Sequence, residues 1–215
     1  MNLSLLILLP LLTAVAILLM RNATQVKWVS LTGATLQFLL AFVLLYTFRN
    51  ERSAGNTAQM LFELQYNWFP AWNISFHLGV DGISVAMILL TAFVVIAGVL
   101  VSWNVTKMTR EFYFLLILLS LGAYGFFISL DLFILFFFLE IAVIPKYLLI
   151  GIWKKKKKEY SANKLALMLM GGSALVLVGL LGIYFSGGNS FDLLQLSKLD
   201  IPVSTQMICF PLLFV

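Results

Sequence analysis

A single carboxylic acid stands inside a long apolar stretch of this sequence. Glu140 lies within FFFLEIAVI (residues 136–144), eight residues after the start of an apolar run at Leu132. Insertion scales assign about 2.5–3.5 kcal/mol to a charge at the centre of a membrane helix, so this carboxyl group must be paired, protonated or hydrated. A proton site between packed helices meets that requirement. A packing acid that hydrogen-bonds a neighbouring helix without transporting protons is the alternative.

Pro145 follows Glu140 in the same run. Because proline has no N–H, the carbonyl oxygen of Ile141 loses its usual partner, one residue from the carboxyl group. A kink there makes room for water or a cation and favours the proton site. Many prolines in membrane helices only bend them, which is the alternative.

Two lysines lie near this acid in the sequence. Lys146 is six positions after Glu140, about 120° away around a helix, so we expect no direct ion pair within the helix. Its side chain either extends to the membrane surface or meets an acid of another helix. The same two alternatives hold for Lys164, which opens the next apolar run. We therefore predict Glu140 as the proton relay, with Lys146 and Lys164 as charge modulators.

Composition defines the elements that must position these groups. Of 215 residues, 62% are apolar and 11% are charged, and the mean hydropathy is +1.02. Soluble domains have about 45–50% apolar and about 25% charged residues. A soluble chain with the composition of this protein would have too few polar residues to cover its apolar surface in water. The net charge of +5 equals the run Lys154–Lys158, so nucleic-acid binding is not indicated. One cysteine and one histidine exclude a disulfide scaffold and make a metal site improbable; no cofactor motif is present.

Apolar runs of about 20 residues predict an all-α polytopic membrane protein. We expect six complete transmembrane helices and the start of a seventh near Thr205. Residues 1–110 would hold helices 1–3 with an outer loop at 49–80, and residues 111–215 would hold helices 4–6 and the beginning of helix 7. The six runs are Leu3–Met20, Trp28–Phe48, Ile83–Trp103, Phe112–Leu130, Leu132–Trp153 and Lys164–Phe185.

The distribution of basic residues predicts the orientation. Nine lie in one set of alternate loops and three in the other, which places the N-terminus outside and the Lys154–Lys158 loop in the cytoplasm. The nine are Arg21, Lys27, Lys107, Arg110 and Lys154–Lys158, and the three are Arg49, Arg52 and Lys198.

The loop segments themselves are explained structurally. Asp81 is predicted to cap the third helix, and His77 to form a hydrogen bond in a loop rather than to bind a metal. The small residues of the sixth helix, from Gly171 to Gly182, predict a helix-packing surface.

Two blocks of sequence resemble a known family. They are HLGVDGIS (residues 77–84) and the segment 131–153, which contains Asp131, Glu140, Pro145 and Trp153; the likeness continues through Tyr160, Lys164 and Gly172-Ser173. The chain is similar to the antiporter-like proton-translocating subunits of respiratory complex I, and most of all to the N-terminal part of the M-type subunits, or chain 4.

This resemblance implies a fold and a function. Family members have roughly fourteen helices with two inverted five-helix repeats, so this chain would form the first part of the antiporter-like bundle. It implies a non-redox subunit of an NADH:quinone oxidoreductase, with the residue matching Glu140 in the proton path. NADH, FMN, iron–sulfur clusters and quinone would be bound by other subunits, and neighbouring membrane subunits and lipids would be the partners. A bacterial inner membrane is the expected location.

Two departures from the family pattern affect the site. The family's lysine partner of the glutamate lies in the seventh helix, and Met207–Val215 contains no lysine. Lys146 stands where the family often has an apolar residue, and it could replace that cation. Two other functions stay open: a D-type subunit of a multisubunit Na⁺/H⁺ antiporter, and a truncated membrane scaffold that does not transport ions.

Overall fold

The computed structural model describes residues 2–153 and 158–213. Lys154 to Lys157 of the predicted cytoplasmic loop lie outside this range, as does the side chain of Lys158. The cytoplasmic location of this loop therefore stays a prediction. The chain forms a helical bundle with a β-hairpin at one end. In chain order the elements are α1 (Leu5–Leu19), α2 (Ala23–Ser53), β1 (Leu61–Phe69), β2 (Ile74–Val80), α3 (Gly82–Val101), α4 (Thr109–Ile128), α5 (Leu132–Trp153), α6 (Lys158–Ser186), α7 (Leu193–Leu196) and α8 (Val203–Leu213).

Five of the described helices, α2 to α6, are long and apolar enough to cross a membrane. Helix α1 has 15 residues, which span only about 22 Å of a hydrocarbon layer that is about 30 Å thick. Helix α8 has 11 residues. The prediction of six complete spans and the start of a seventh is therefore not confirmed, because the first apolar run forms a helix shorter than a span.

The expectation of an all-α chain is wrong for the segment between α2 and α3. Strands β1 and β2 pair antiparallel there, and a short 3₁₀ turn (Pro70–Trp72) with Asn73 in the left-handed region reverses the chain. From Phe62 to Trp68 apolar and polar residues alternate strictly, the period of a strand with two different faces. A scan for long apolar runs does not detect a pattern of this length.

The hairpin defines one end of the bundle. Leu130 N, between α4 and α5, donates to His77 O of β2 at 2.8 Å, and Leu132 N donates to Phe191 O, after α6, at 2.9 Å. We call this the hairpin end. At the opposite end, which we call the basic end, Trp153 Nε1 donates to Lys107 O at 2.9 Å. The alternation of loops predicted from the sequence thus agrees with the structure.

Helix α1 is joined to α2 through a side chain that replaces a missing backbone bond. Pro10 cannot donate to the carbonyl oxygen of Leu6, and Gln37 Nε2 of α2 donates to that oxygen instead, at 3.1 Å. Leu6 and Gln37 are both buried. Gln37 of α2 thus supplies the hydrogen bond that Pro10 removes from the backbone of α1.

Close packing of α4 on α5 depends on two glycines that the sequence analysis did not single out. A Cβ atom at Gly125 would overlap the ring of Phe138, and one at Gly122 would lie 2.9 Å from Cβ of Ala142. The predicted packing surface on α6 is present only in part. Gly179 and Gly182 face α8, whereas no described residue lies within 4 Å of a Cβ built at Gly171.

We expect the substitution Gly125→Ala to destabilise the chain, because the added methyl group must displace Phe138; overpacking of this kind costs about 1–3 kcal/mol. The matched control is Gly98→Ala in α3, where the nearest atom would be an ordinary 3.9 Å away. There the usual gain of about 0.5–1 kcal/mol for alanine over glycine in a helix should appear. Thermal unfolding of both variants in detergent measures the difference. Equal midpoints would contradict the tight α4–α5 contact.

Candidate functional site

Helix α5 holds Glu140 on the side that faces away from α4. The buried residues Phe138 and Ala142 pack against Gly125 and Gly122 of α4, and Glu140 lies about 200° around the helix from Phe138. Phe136, one turn before Glu140, belongs to the cluster that includes Leu180 of α6. Glu140 is half-buried, and its Oε1 atom is buried with no hydrogen-bond partner in the part of the chain that the structure describes. A buried acceptor without a partner is an exception in folded proteins and needs an explanation.

The two lysines are not brought to this carboxyl group. Lys146 is exposed and lines a groove of about 510 Å³ between α3, α4 and α5, on a different face of the helix from Glu140. Lys164 is exposed near the start of α6. Among the described residues, neither lysine forms an ion pair with Glu140. Their roles as charge modulators, and that of Glu140 as proton relay, stay predictions.

A buried polar cluster at the hairpin end was missed by the sequence analysis. Asp131 is fully buried between α4 and α5. Its Oδ1 accepts from Phe133 N at 2.9 Å and Ile134 N at 3.2 Å, capping α5, while its Oδ2 accepts from Ser75 N of β2 at 2.9 Å. Burial raises the pKa of Asp131 above its usual range, although these backbone N–H groups act in the opposite direction.

His77 of β2 is the second member of this cluster and is 5% exposed. Its Nδ1 lies 2.9 Å from Asp192 Oδ2, and its Nε2 lies 3.6 Å from Glu63 Oε2 of β1. Asp192 Oδ1 caps α7 by accepting from Leu194 N and Gln195 N. The prediction of His77 as a hydrogen-bonding residue is confirmed, with the difference that it sits in a strand.

A small polar cavity adjoins Asp192. It has a volume of about 110 Å³, which is large enough for several water molecules. Its polar lining comes from β1, β2 and the segment after α6: Gln65, Asn67, Asn73, Ser75, Ser190, Asp192 and Gln195.

Both buried aspartates carry a sequence signal that predicts a helix cap. Each stands directly before its helix, Asp131 before Leu132 and Asp192 before Leu193. The same signal led to the prediction for Asp81, which is confirmed: its Oδ1 accepts from Ser84 N at 2.7 Å. The burial of Asp131 and Asp192 was not predicted from the sequence.

The family resemblance is confirmed by comparison with known proteins. Residues 129–215 match the family model described as NADH:quinone oxidoreductase/Mrp antiporter, transmembrane. The chain is 35% identical over 213 residues to the chloroplastic NAD(P)H-quinone oxidoreductase chain 4 of Angiopteris evecta; the match covers 97% of this chain and 42% of that protein. The chain thus spans about two fifths of the length of this curated relative.

Solved structures share the fold. A chain of respiratory complex I from Thermus thermophilus superposes with a TM-score of 0.83 at 24% identity, over 99% of this chain and 43% of that one. A chain of the membrane-bound sulfane sulfur reductase, an archaeal respiratory membrane complex, superposes with a TM-score of 0.80 at 25% identity, and the match covers 98% of this chain and 43% of that one. With five apolar helices of spanning length, these matches identify an integral membrane protein.

We expect Asp131→Ala to destabilise the fold by about 2 kcal/mol or more, because it removes the cap of α5 and leaves the buried Ser75 N–H without an acceptor. Asp200→Ala is the matched control, since Asp200 is exposed near the same end. Thermal unfolding in detergent and the amount of protein inserted into membranes measure the effect. If both variants behave alike, Asp131 does not hold the hairpin to α5.

Proposed function

We propose that this chain acts as a proton-translocating membrane subunit of an NADH:quinone oxidoreductase, with Glu140 as the group that takes up and releases protons. The observation that carries the proposal is the buried, unpartnered Oε1 of Glu140 in a helix that lies within the family match at residues 129–215. A titratable group of this kind within a membrane helix is a functional-site hypothesis by default.

The chemistry rests on the surroundings of the carboxyl group. Glu140 lies eight residues into α5, about 12 Å along the helix axis from Leu132. In a medium of low dielectric, its affinity for a proton responds strongly to nearby charge. Pro145 leaves the carbonyl oxygen of Ile141 without its helical donor, which gives water a further partner beside the acid. Lys146 and Lys164 are proposed to modulate the affinity.

Other subunits are proposed to perform the redox reaction. Iron–sulfur clusters are held mainly by sets of four cysteines, and this sequence has one, so the clusters are assigned to partner chains. NADH, FMN and quinone are assigned to partner chains on the family resemblance. The structural neighbours are chains of multisubunit membrane complexes, which supports membrane subunits as the partners. Lipids would surround the remaining exposed helix faces.

The Na⁺/H⁺ antiporter stays a second candidate, because the matching family model includes Mrp antiporters. Both functions can use a buried carboxyl group, so a proton site at Glu140 does not distinguish them. Dependence of transport on quinone reduction separates the two: an antiporter subunit exchanges Na⁺ for H⁺ without it.

We further propose that the hairpin end faces the outside of a bacterial inner membrane and that the basic end faces the cytoplasm. Two matched cysteine variants test this orientation in a Cys209→Ser background. Thr57 and Thr106 are both exposed, the first at the hairpin end and the second at the basic end. An impermeant maleimide should label Thr57→Cys in intact cells and Thr106→Cys only after permeabilisation. The reverse result would mean an inverted chain.

Glu140→Gln tests the proton site in the full-length protein within its complex. It keeps the size and hydrogen-bonding capacity of the side chain but removes the titrating proton. We expect quinone reduction and proton pumping to fall together by at least about tenfold, a change of about 1.4 kcal/mol in the barrier. Glu140→Asp should retain part of the activity. Lys146→Ala should have a comparable effect only if Lys146 modulates the carboxyl group.

The matched control is Glu159→Gln, which changes an exposed acid at the start of α6. It should leave both rates unchanged. Rates are compared in membranes with equal amounts of assembled complex. Wild-type pumping by Glu140→Gln would identify Glu140 as a packing acid and refute the proposal.

A further inference from the structure

His77 lies between two carboxyl groups that differ in their access to solvent. The Glu63 side chain is 47% exposed, whereas the side chains of His77 and Asp192 are 6% and 7% exposed. Each ring nitrogen faces one of them: Nε2 is 3.6 Å from Glu63, and Nδ1 is 2.9 Å from Asp192. The imidazole therefore connects the surface of the hairpin with the interior of the hairpin end.

An imidazole in this position can pass a proton through its ring. Nε2 accepts a proton from the carboxylic acid of Glu63, which is replenished from solvent, and Nδ1–H releases its proton to the Asp192 carboxylate. The cation formed in between carries one added proton, and the ring returns as the other neutral tautomer. Every proton that enters at Nε2 is thus matched by one that leaves at Nδ1. Rotation of the ring or proton exchange with water restores the first tautomer.

The receiving side of this relay is polar: the cavity beside Asp192 is lined by the buried residues Ser75, Ser190 and Asp192 and by the exposed residues Gln65, Asn67, Asn73 and Gln195. The cavity of about 110 Å³ is lined by Asp192, and Asp131 faces Asp192 across a β-bridge. Asp131 caps the start of α5, and Glu140 lies on that helix nine residues after Asp131, about 13 Å along the axis. The charged groups that contact His77 among the described residues are Glu63 of β1 and Asp192 after α6, and Asp131, which bonds Ser75 of the same strand, is the next acid beyond them.

We propose that Glu63, His77 and Asp192 form a proton relay that joins the surface of β1 to the buried carboxyl group of Asp192 and the polar cavity beside it at the hairpin end. This inference rests on the proposed function, because it supplies the hairpin-end limb of a path through Glu140. It gives a role in proton transfer to three residues to which the family resemblance assigned none.

A purely structural role for His77 makes a different prediction. The Nδ1–Asp192 hydrogen bond also ties β2 to the segment before α7, and this role requires a donor but no titration. His77→Asn separates the two roles, since its amide nitrogen takes the place of Nδ1 as a donor and cannot carry a proton at neutral pH. Glu63→Gln is the second variant, at a half-exposed position whose contact with His77 is too long for a strong hydrogen bond.

The experiment uses the full-length protein in membranes that contain the assembled complex, with Asp200→Asn as the control for an exposed acid. Quinone-coupled proton transport is measured from about pH 5.5 to 8.5, the range in which histidine commonly titrates. The relay predicts that His77→Asn assembles normally, transports protons at least about tenfold more slowly and loses part of the pH dependence. Glu63→Gln should slow transport several-fold, and Asp200→Asn should match the wild type.

Wild-type rates and an unchanged pH profile in His77→Asn, or reduced assembly with a normal rate per complex, would overturn the relay. If His77→Asn does not assemble, Glu63→Gln decides alone, and a wild-type rate in that variant refutes the proposal. Glu140→Gln is included in the same assay. If it is impaired while both relay variants are normal, only the relay fails; if it pumps normally, the proposed function fails.

Discussion

The connection between α4 and α5 is buried, and its backbone must find partners outside the two helices. Ser129, Leu130 and Asp131 are each at most 5% exposed. A buried peptide group without a hydrogen bond costs several kcal/mol in apolar surroundings. The connection satisfies this constraint by pairing with β2 on one side, through Leu130 N and His77 O, and with the segment after α6 on the other, where Leu193 N donates to Leu130 O at 2.9 Å.

Most features of the hairpin end follow from this pairing. The hairpin lies against the start of α5 because β2 supplies a donor, Ser75 N, to the side chain of Asp131. The segment before α7 lies beside it because Asp131 and Asp192 form a β-bridge. His77 meets Asp192 only because both segments are held to the same three residues. Because Asp131 caps α5, this cluster lies at a fixed distance along that helix from Glu140.

Hydropathy and residue chemistry predicted the spans from α2 to α6 and the cap at Asp81, and the resemblance of two sequence blocks indicated the family. They did not predict the hairpin, since its seven alternating residues are few beside the long apolar runs and half of its apolar side chains are exposed. The burial of Asp131 was missed because a membrane scan assigns every acid between two helices to water. Helix-packing contacts such as Gly125 on Phe138 depend on which helices are neighbours, and no single helix's sequence contains that information.

The bond from Gln37 to Leu6 has a consequence for how the chain enters the membrane. Helix α1 leaves the ribosome before α2, yet the Leu6 carbonyl oxygen, which has no backbone donor because residue 10 is proline, accepts its hydrogen bond from Gln37, 31 positions after Leu6. Helix α1 has only 15 residues, and in lipid without α2 its Leu6 carbonyl oxygen would have no hydrogen-bond donor. Stable insertion of α1 alone is therefore unfavourable. The two helices are therefore expected to leave the insertion machinery as a pair, with α1 retained there until α2 has been synthesised.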